Sequence, residues 1–496
     1  MKILNSLKED KVLFSFLLLT IFIGVGLSAT SFFIDNSYGW DELFSIVAAK
    51  QSLANMFNMC IFPDVYPPLH FIILKIWISI LGTTEIATRM LSFIFAIGAL
   101  VLLFLWILKR FDVHLAIPVI LFFVSSWMFS YYAQENRAYS LMLLFSTIST
   151  ILFVDLLQKN FKTSKLIIFL TTIIFLSLTH YFGLIYGGLL LIISFFLISQ
   201  KKYKILIIIS GLICLFWPLI HFFYGNLGHK TGGNFWIKSK GVQTTLTAFI
   251  NSLLPQSYIL EIIIGENLKE IFTAVLTVIL FVLIYFVFLK DTKKQEGDKY
   301  FFTIKMLSVT LTTFIIIISL IDLYSPISLT HHFVVILPLF SLIFGFTIFS
   351  LRNKKRFYYS ILVLVIISMF IYTFKRVISK VTPIQNHKAC VEFIIKKRLY
   401  ESHTIYYLAK DLYPEKIYHD MAYFYFEKYN IKDSIKIYPK AFKDLETLEP
   451  PFVYFTQHKK IEPIEVINVF KKKNIYVNFY EPKQAGKNST LVFYTE

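Results

Sequence analysis

The chain has 496 residues, 56% of them hydrophobic and only 16% charged, with 53 phenylalanines. A mean hydropathy of +0.65 excludes an ordinary soluble globule and fits a polytopic helical membrane protein. The formal charge of +18 does not indicate nucleic acid, because the basic residues are dispersed in short loops between apolar stretches.

The N-terminus starts basic and continues into about 22 uncharged residues, Val12 to Phe33, enough to cross a bilayer core. No small-residue cleavage site follows, so this reads as an uncleaved anchor. Just beyond it stands the acidic pair Asp41-Glu42. Alone, such a pair at a membrane edge means little. It gains meaning from the segment Tyr131 to Tyr139, which again combines acid, base and tyrosine at the membrane surface. The apolar stretch Leu69 to Leu81 reaches only about 20 Å as a helix. It carries Lys75 and follows Pro67-Pro68, so it reads as a helix lying on the outer surface.

Further apolar stretches fall at 89–108, 114–130, 139–157, 165–180, 182–199, 204–222, 269–289, 303–322, 331–350 and 356–374. Keeping 69–81 outside puts Lys109-Arg110, Lys201-Lys202 and Arg352 to Arg356 on the N-terminal side. The other face then holds only Lys50, Lys75, Arg137, Lys230, Lys238 and Lys240. Were 69–81 a span, every later loop would swap sides against the positive-inside rule. The expected fold class is a polytopic α-helical membrane protein of about 11 transmembrane helices plus outer-face amphipathic helices. The N-terminus is inside and the C-terminus outside.

Three outside segments are large: 34–88, the loop 223–268 with Gly232-Gly233-Asn234-Phe235-Trp236, and the tail. In the tail, short runs with strand character (Thr404–Ala409, Ser434–Tyr438, Phe452–Thr456, Ile475–Tyr480, Thr490–Tyr494) alternate with helical stretches. The expected domains are 1–374, a transmembrane catalytic domain, and 375–496, a small extracytoplasmic α/β domain. Three scattered cysteines make neither a metal motif nor a disulfide framework. No Walker motif or dinucleotide fingerprint points to ATP or NAD.

The order of several short motifs resembles a known family. Asp41-Glu42 is followed by Tyr66-Pro67-Pro68-Leu69-His70-Phe71, Glu85-Ile86-Ala87-Thr88-Arg89, Tyr132 to Tyr139, and Thr179-His180-Tyr181-Phe182-Gly183. This is similar to the bacterial branch of the GT-C glycosyltransferases, family 39-like, as in protein O-mannosyltransferases and the lipid A aminoarabinose transferase. The resemblance covers the first 190 residues best. It weakens at His331-His332-Phe333 and Pro338, where many relatives have an Arg-Tyr pair before a proline. It implies hexosyl or pentosyl transfer from a polyprenyl-phosphate donor to a lipid, glycan or protein acceptor, on the outer face of a bacterial plasma (inner) membrane. Membrane lipids are partners and nucleic acid is not.

Asp41 stands at the family's catalytic acidic position, where a carboxylate accepts the proton of an attacking hydroxyl; its bland role is a helix cap. Glu42 is its helper or a metal contact, or else a solvated residue at a helix start. Asp64, before the Pro-Pro step, is a substrate or metal residue, or a turn former. Arg137 and Lys75 are rare outside cations suited to a lipid phosphate. Glu135 beside Arg137 is a further substrate-binding candidate; against these roles, Arg137 has Glu135 as an ion-pair partner, and Lys75 has headgroups to snorkel to. Tyr139 is a hydrogen-bonding residue for sugar or phosphate, or an interfacial anchor. His180, Tyr181, His331 and His332 end spans on the outer side. They are substrate-binding candidates, with Asp322 as a weaker one. Glu42, Asp64, His180 and His331 could together hold a divalent metal ion, the one cofactor candidate. A transporter or flippase of a polyprenyl-linked glycan is the rival reading. It fits less well, because the ionisable residues cluster at the outer membrane edge and only Asp155 intrudes. A third reading is a non-catalytic scaffold.

Overall fold

Backbone polar groups cannot be left bare in hydrocarbon, so a chain this apolar resolves into helices. In the computed structural model the described residues are 11–33, 37–61, 66–111, 113–158, 162–224, 241–253, 299–352, 354–381, 386–408, 415–456, 463–481 and 491–495. Asp64, the Gly232–Trp236 loop and the expected span 269–289 lie outside them. The helices begin with α1 (Lys11–Ser28), α2 (Trp40–Lys50), α3 (Leu53–Ile61), α4 (Leu69–Leu81), α5 (Glu85–Arg110), α6 (Val113–Ser125) and α7 (Trp127–Tyr132). Then come α8 (Tyr139–Leu157), α9 (Thr163–Ser177), α10 (Tyr181–Leu197), α11 (Lys201–Tyr224), α12 (Val242–Leu253), α13 (Lys299–Tyr324), α14 (Leu337–Phe349) and α15 (Lys355–Val381). The tail adds α16 (His387–Lys396), α17 (Leu399–Ser402), α18 (Glu415–Lys428) and α19 (Pro463–Lys471).

Among the described residues, five helical stretches are long and apolar enough to cross a membrane: Glu85–Arg110, Tyr139–Leu157, Lys201–Tyr224, Phe302–Tyr324 and Thr330–Phe349. Other expected spans appear as shorter apolar helices, including His114–Ser125, Thr163–Ser177 and Tyr181–Leu197. The stretch 114–130 is interrupted because Ser126 adopts extended backbone (φ −64°, ψ 131°) between α6 and α7. The helix at Leu69–Leu81 has the bounds expected of the short surface element. Large apolar side chains such as Phe22, Phe196, Leu212 and Phe222 remain exposed on the helices, as lipid-facing surface requires. The chain is an integral membrane protein.

By contacts the chain forms two compact units. The first is Met1–Ala29, Val65–His70 and Met90–Val377; the second is Thr30–Asp64, Phe71–Arg89 and Ile378–Glu496. In the first, small residues let helices approach, since lipid gives no hydrophobic drive between them. A Cβ on Gly24 of α1 would lie 2.5 Å from Val124 Cγ2 of α6, and one on Gly183 of α10 would lie 2.5 Å from the Leu176 carbonyl of α9. Buried Asp155 on α8 pairs with Arg110 at 2.9 Å and with Lys165, and accepts from Trp106 Nε1 at 3.2 Å. Its charge is thus neutralised by the ends of α5 and α9, a structural clamp.

The second unit contains a five-stranded sheet of order β2-β1-β3-β5-β4. Its strands are β1 (Thr404–Leu408), β2 (Ile437–Lys440), β3 (Phe452–Phe455), β4 (Asn478–Tyr480) and β5 (Val492–Tyr494). β1 pairs parallel with β2 and β3, and β5 pairs antiparallel with β3 and β4. The parallel step from β1 to β2 needs a crossover, and α18 provides it. Phe452, Tyr454 and Phe493 form a core with Val466 and Phe470 of α19. In the same unit, α18 packs against α2, so residues 30–64 and the C-terminal residues 378–496 belong together.

Candidate active site

In the first unit an aromatic and imidazole cluster forms where several helices begin or end. Arg137, 5% exposed, lies in the turn between α7 and α8, with its guanidinium carbon 4.7 Å from the Tyr66 ring centre. Tyr66 stacks edge-on to His180 at 5.5 Å, and His180 lies 4.8 Å from His332. Tyr139, the first residue of α8, sits 4.8 Å from His331 and 4.9 Å from Tyr132. Local hydrogen bonds fix these positions. Leu69 N–H donates to the Leu178 carbonyl (3.0 Å), docking Tyr66 to His70 on the α9–α10 turn. Ser92 Oγ donates to the Glu135 carbonyl (2.6 Å), and Gln134 Nε2 to the Leu27 carbonyl (2.7 Å), pinning the turn that carries Arg137.

The tautomers follow from the partners. His180 is the N-cap of α10, and its Nδ1 accepts the Phe182 N–H at 3.1 Å, so its ring proton sits on Nε2. His332 Nδ1 lies 2.9 Å from the Ile327 carbonyl and must donate to it, leaving Nε2 as an acceptor. Burial, then His332 and Arg137, holds His180 well below the ordinary imidazole range. Burial, then Arg137, holds His70 down to about 3. The cluster therefore sets the Arg137 guanidinium beside imidazoles with opposite hydrogen-bonding poles.

In the second unit Asp41 occupies the first turn of α2, with its side chain exposed. It is not the cap: Gly39 is, and Glu42 accepts the Gly39 N–H at 3.0 Å. Glu42 is 4% exposed, and Arg89, at 3%, grips it bidentately through Nε (2.9 Å) and Nη2 (2.8 Å). Arg89 Nη2 also donates to the Ser37 carbonyl at 3.1 Å. One member of the acidic pair is thus presented to solvent and the other is locked inside.

No family model matches the chain, and no curated protein matches it in sequence. Its structure is similar to ArnT, the lipid A aminoarabinose transferase, from Cupriavidus metallidurans. The apo form gives a TM-score of 0.53 at 11% identity, covering 97% of this chain and 98% of that one. The form bound to undecaprenyl phosphate gives 0.52 at 12% identity, covering 98% of both chains. The fold is that of the GT-C glycosyltransferases. Within this GT-C fold the remaining candidates take the following places.

Lys75 donates to the carbonyls of Ala49 (3.1 Å) and Gln51 (2.6 Å), closing the C-terminus of α2 where a cation is favoured. Tyr181 opens α10, and its hydroxyl bonds His221 Nδ1 on α11. Glu135 is half-buried in the Arg137 turn. Asp322 accepts from the N–H groups of Ile327 (2.7 Å) and Ser328 (3.1 Å) and from Thr245, so it organises the turn after α13. Glu42 is committed to Arg89 and Gly39, and His180, with Nδ1 accepting the Phe182 N–H, presents Nε2 as a donor, whereas His332 is anchored on backbone through Nδ1 and keeps Nε2 as an acceptor. Among the described residues no group of three or more His, Cys, Asp or Glu side chains could hold an ion.

Reasoning from sequence had assigned no role to Arg89, Glu85, Tyr66, His70 or Tyr132. One signal was available: a Glu and an Arg four residues apart at the start of an apolar helix are costly there unless something answers their charge.

Proposed function

We propose that this protein is an integral membrane glycosyltransferase that moves a sugar from a polyprenyl-phosphate donor to a lipid, glycan or protein acceptor on the outer face of a bacterial inner membrane. The observation that carries the reading is the similarity of fold, over 98% of both chains, to ArnT bound to undecaprenyl phosphate. Fold alone does not give function, so the residues have to support it. Asp41 is an exposed carboxylate on a rigidly held helix start. It takes the proton as the acceptor hydroxyl attacks the anomeric carbon. The new glycosidic C–O bond forms as the sugar–phosphate C–O bond breaks, and the electron pair leaves on the polyprenyl phosphate. In the first unit, Arg137 is the kind of residue that holds a phosphate through two parallel charge-assisted bonds. The imidazoles of His180 and His332 supply a donor and an acceptor for sugar hydroxyls.

The test is mass spectrometry of membrane glycolipids and surface glycans from cells carrying wild-type protein, Asp41→Asn, or none. The variant should match the null, with one sugar missing from an acceptor and the sugar-charged polyprenyl phosphate accumulating. The expected rate loss is on the order of 10²–10⁴. Wild-type glycans from Asp41→Asn, with a glycan lost in the null, would instead favour the flippase or scaffold reading.

A further inference from the structure

We propose that Tyr425 and Lys428, far along the chain on α18, are positioning residues for Asp41, so that the C-terminal region is a working part of the catalytic apparatus. This rests on the transferase reading above. Three consecutive residues lead into α2, and each is held by polar contacts. Ser37 gives its carbonyl to Arg89 (3.1 Å), and its hydroxyl accepts the Lys388 N–H (3.3 Å). Tyr38 donates its N–H to Tyr425 Oη (2.9 Å), and its own hydroxyl meets Thr88 Oγ1 (2.8 Å) and donates to the Thr83 carbonyl (3.0 Å). Gly39 donates to Glu42, which Arg89 fixes. Asp41 follows two residues later with nothing but helix between.

Tyr425 joins the two halves of this frame. Its hydroxyl accepts from Tyr38 and donates to Glu85 Oε1 at 3.1 Å, while Lys428 Nζ holds Glu85 Oε2 at 2.6 Å. Glu85, Thr88 and Arg89 lie on one turn of α5. The entry to α2 is therefore clamped between the start of α5 and a helix nearly 390 residues away in sequence. Burial pushes the Tyr38 and Tyr425 phenols well above their ordinary range, so both hydroxyls keep their protons as donors. A buried polar frame of this kind is a costly way to fix a helix, because each group must be desolvated and then fully paired. Apolar packing would hold α2 in place for less, but it would not fix the helix entry in one orientation. Orientation is what an exposed base in the first helical turn requires, since misplacement by about 1 Å can cost a hundredfold in rate.

The experiment uses full-length purified protein in excess over its donor. The donor is the sugar-charged polyprenyl phosphate extracted from null-strain membranes, and null-strain membranes serve as acceptor. The readouts are the maximal single-turnover rate, which does not depend on the fraction of active protein, and the enzyme concentration giving half that rate. Tyr425→Phe and Lys428→Met should lower the maximal rate at least tenfold and leave the half-saturating concentration within twofold. Tyr423→Phe is the control. On the same helix it donates to the Ile435 carbonyl (3.3 Å) and accepts from Ile437 N–H (2.9 Å), bracing β2 and not α2. It should lower the melting temperature without changing the single-turnover rate. If Asp41→Asn is inactive while Tyr425→Phe and Lys428→Met turn over at the wild-type rate, the positioning role is overturned. The same holds if Tyr423→Phe loses as much rate as Tyr425→Phe. An active Asp41→Asn would remove the transferase reading and this one with it.

Discussion

The Glu42–Arg89 pair makes the strongest demand on the second unit. Both side chains are almost wholly buried, at 6% and 4% exposed, and the pair closes at 2.8 Å with a second bond at 2.9 Å. Arg89→Met would strip the buried Glu42 carboxylate of this cation. Breaking a buried pair from one side costs about 3–5 kcal/mol, because the remaining charge has already lost its water. At roughly 2–4 °C per kcal/mol for a unit of this size, the melting temperature should fall by roughly 6–20 °C. Glu42→Gln alone should also destabilise, by leaving Arg89 uncompensated. The double variant Glu42→Gln/Arg89→Met should lose less than the sum of the singles, since no bare charge remains. Thermal unfolding of the detergent-solubilised protein, read as a double-mutant cycle, measures the coupling. Single variants within about 1 kcal/mol of wild type, or a strictly additive double, would refute the reasoning and leave the pair as an incidental contact.

Acidification should destabilise the first unit. Unfolded imidazoles take up a proton near pH 6.5, whereas buried His70 holds off to about 3 and His180 is likewise depressed. Stability is then complete above about pH 6.5 and falls as pH drops toward the folded values, by about 1.4 kcal/mol per pH unit for each histidine. A melting temperature flat from pH 8 to 7 and declining below 6.5 is expected, and one that rises on acidification would contradict it. In the helix bundle, a Cβ on Gly345 of α14 would overlap Val119 Cγ2 of α6 and lie 3.2 Å from the Val119 backbone nitrogen. Gly345→Ala should therefore cost about 1–3 kcal/mol, seen as a lower melting temperature; Gly188→Ala, where a Cβ meets nothing within 4 Å, should be nearly silent.

Much of the helical frame was legible because apolar length is a strong signal. The stretches at 139–157 and 69–81 coincide with α8 and α4. Local polar detail was less so. The run 114–130 reads as continuous, yet Ser126 breaks it. The second strand was expected at Ser434–Tyr438 but runs Ile437–Lys440, because a 3-10 turn takes Lys432–Ser434 and Tyr423 fixes where the ladder begins. Arg137, Tyr139, His180, His331 and His332 could be grouped from topology alone, since alternation of spans sends their helix ends to one face. Tyr425 and Lys428 could not. Nothing in the periodicity of α18 marks two residues whose partners sit hundreds of positions earlier.

The acidic pair itself shows where sequence reading stops. In sequence Asp41 and Glu42 look equivalent, a base and its helper side by side. On a helix, neighbours point about 100° apart, so one surface cannot serve both. Arg89 decides the division by reaching Glu42 from α5, which turns that carboxylate into an anchor for the helix start. Asp41, one position earlier, is left facing outward on a base that cannot easily shift. The chemistry proposed for the pair then belongs to Asp41 alone. Substitution at Glu42 should damage stability and rate together.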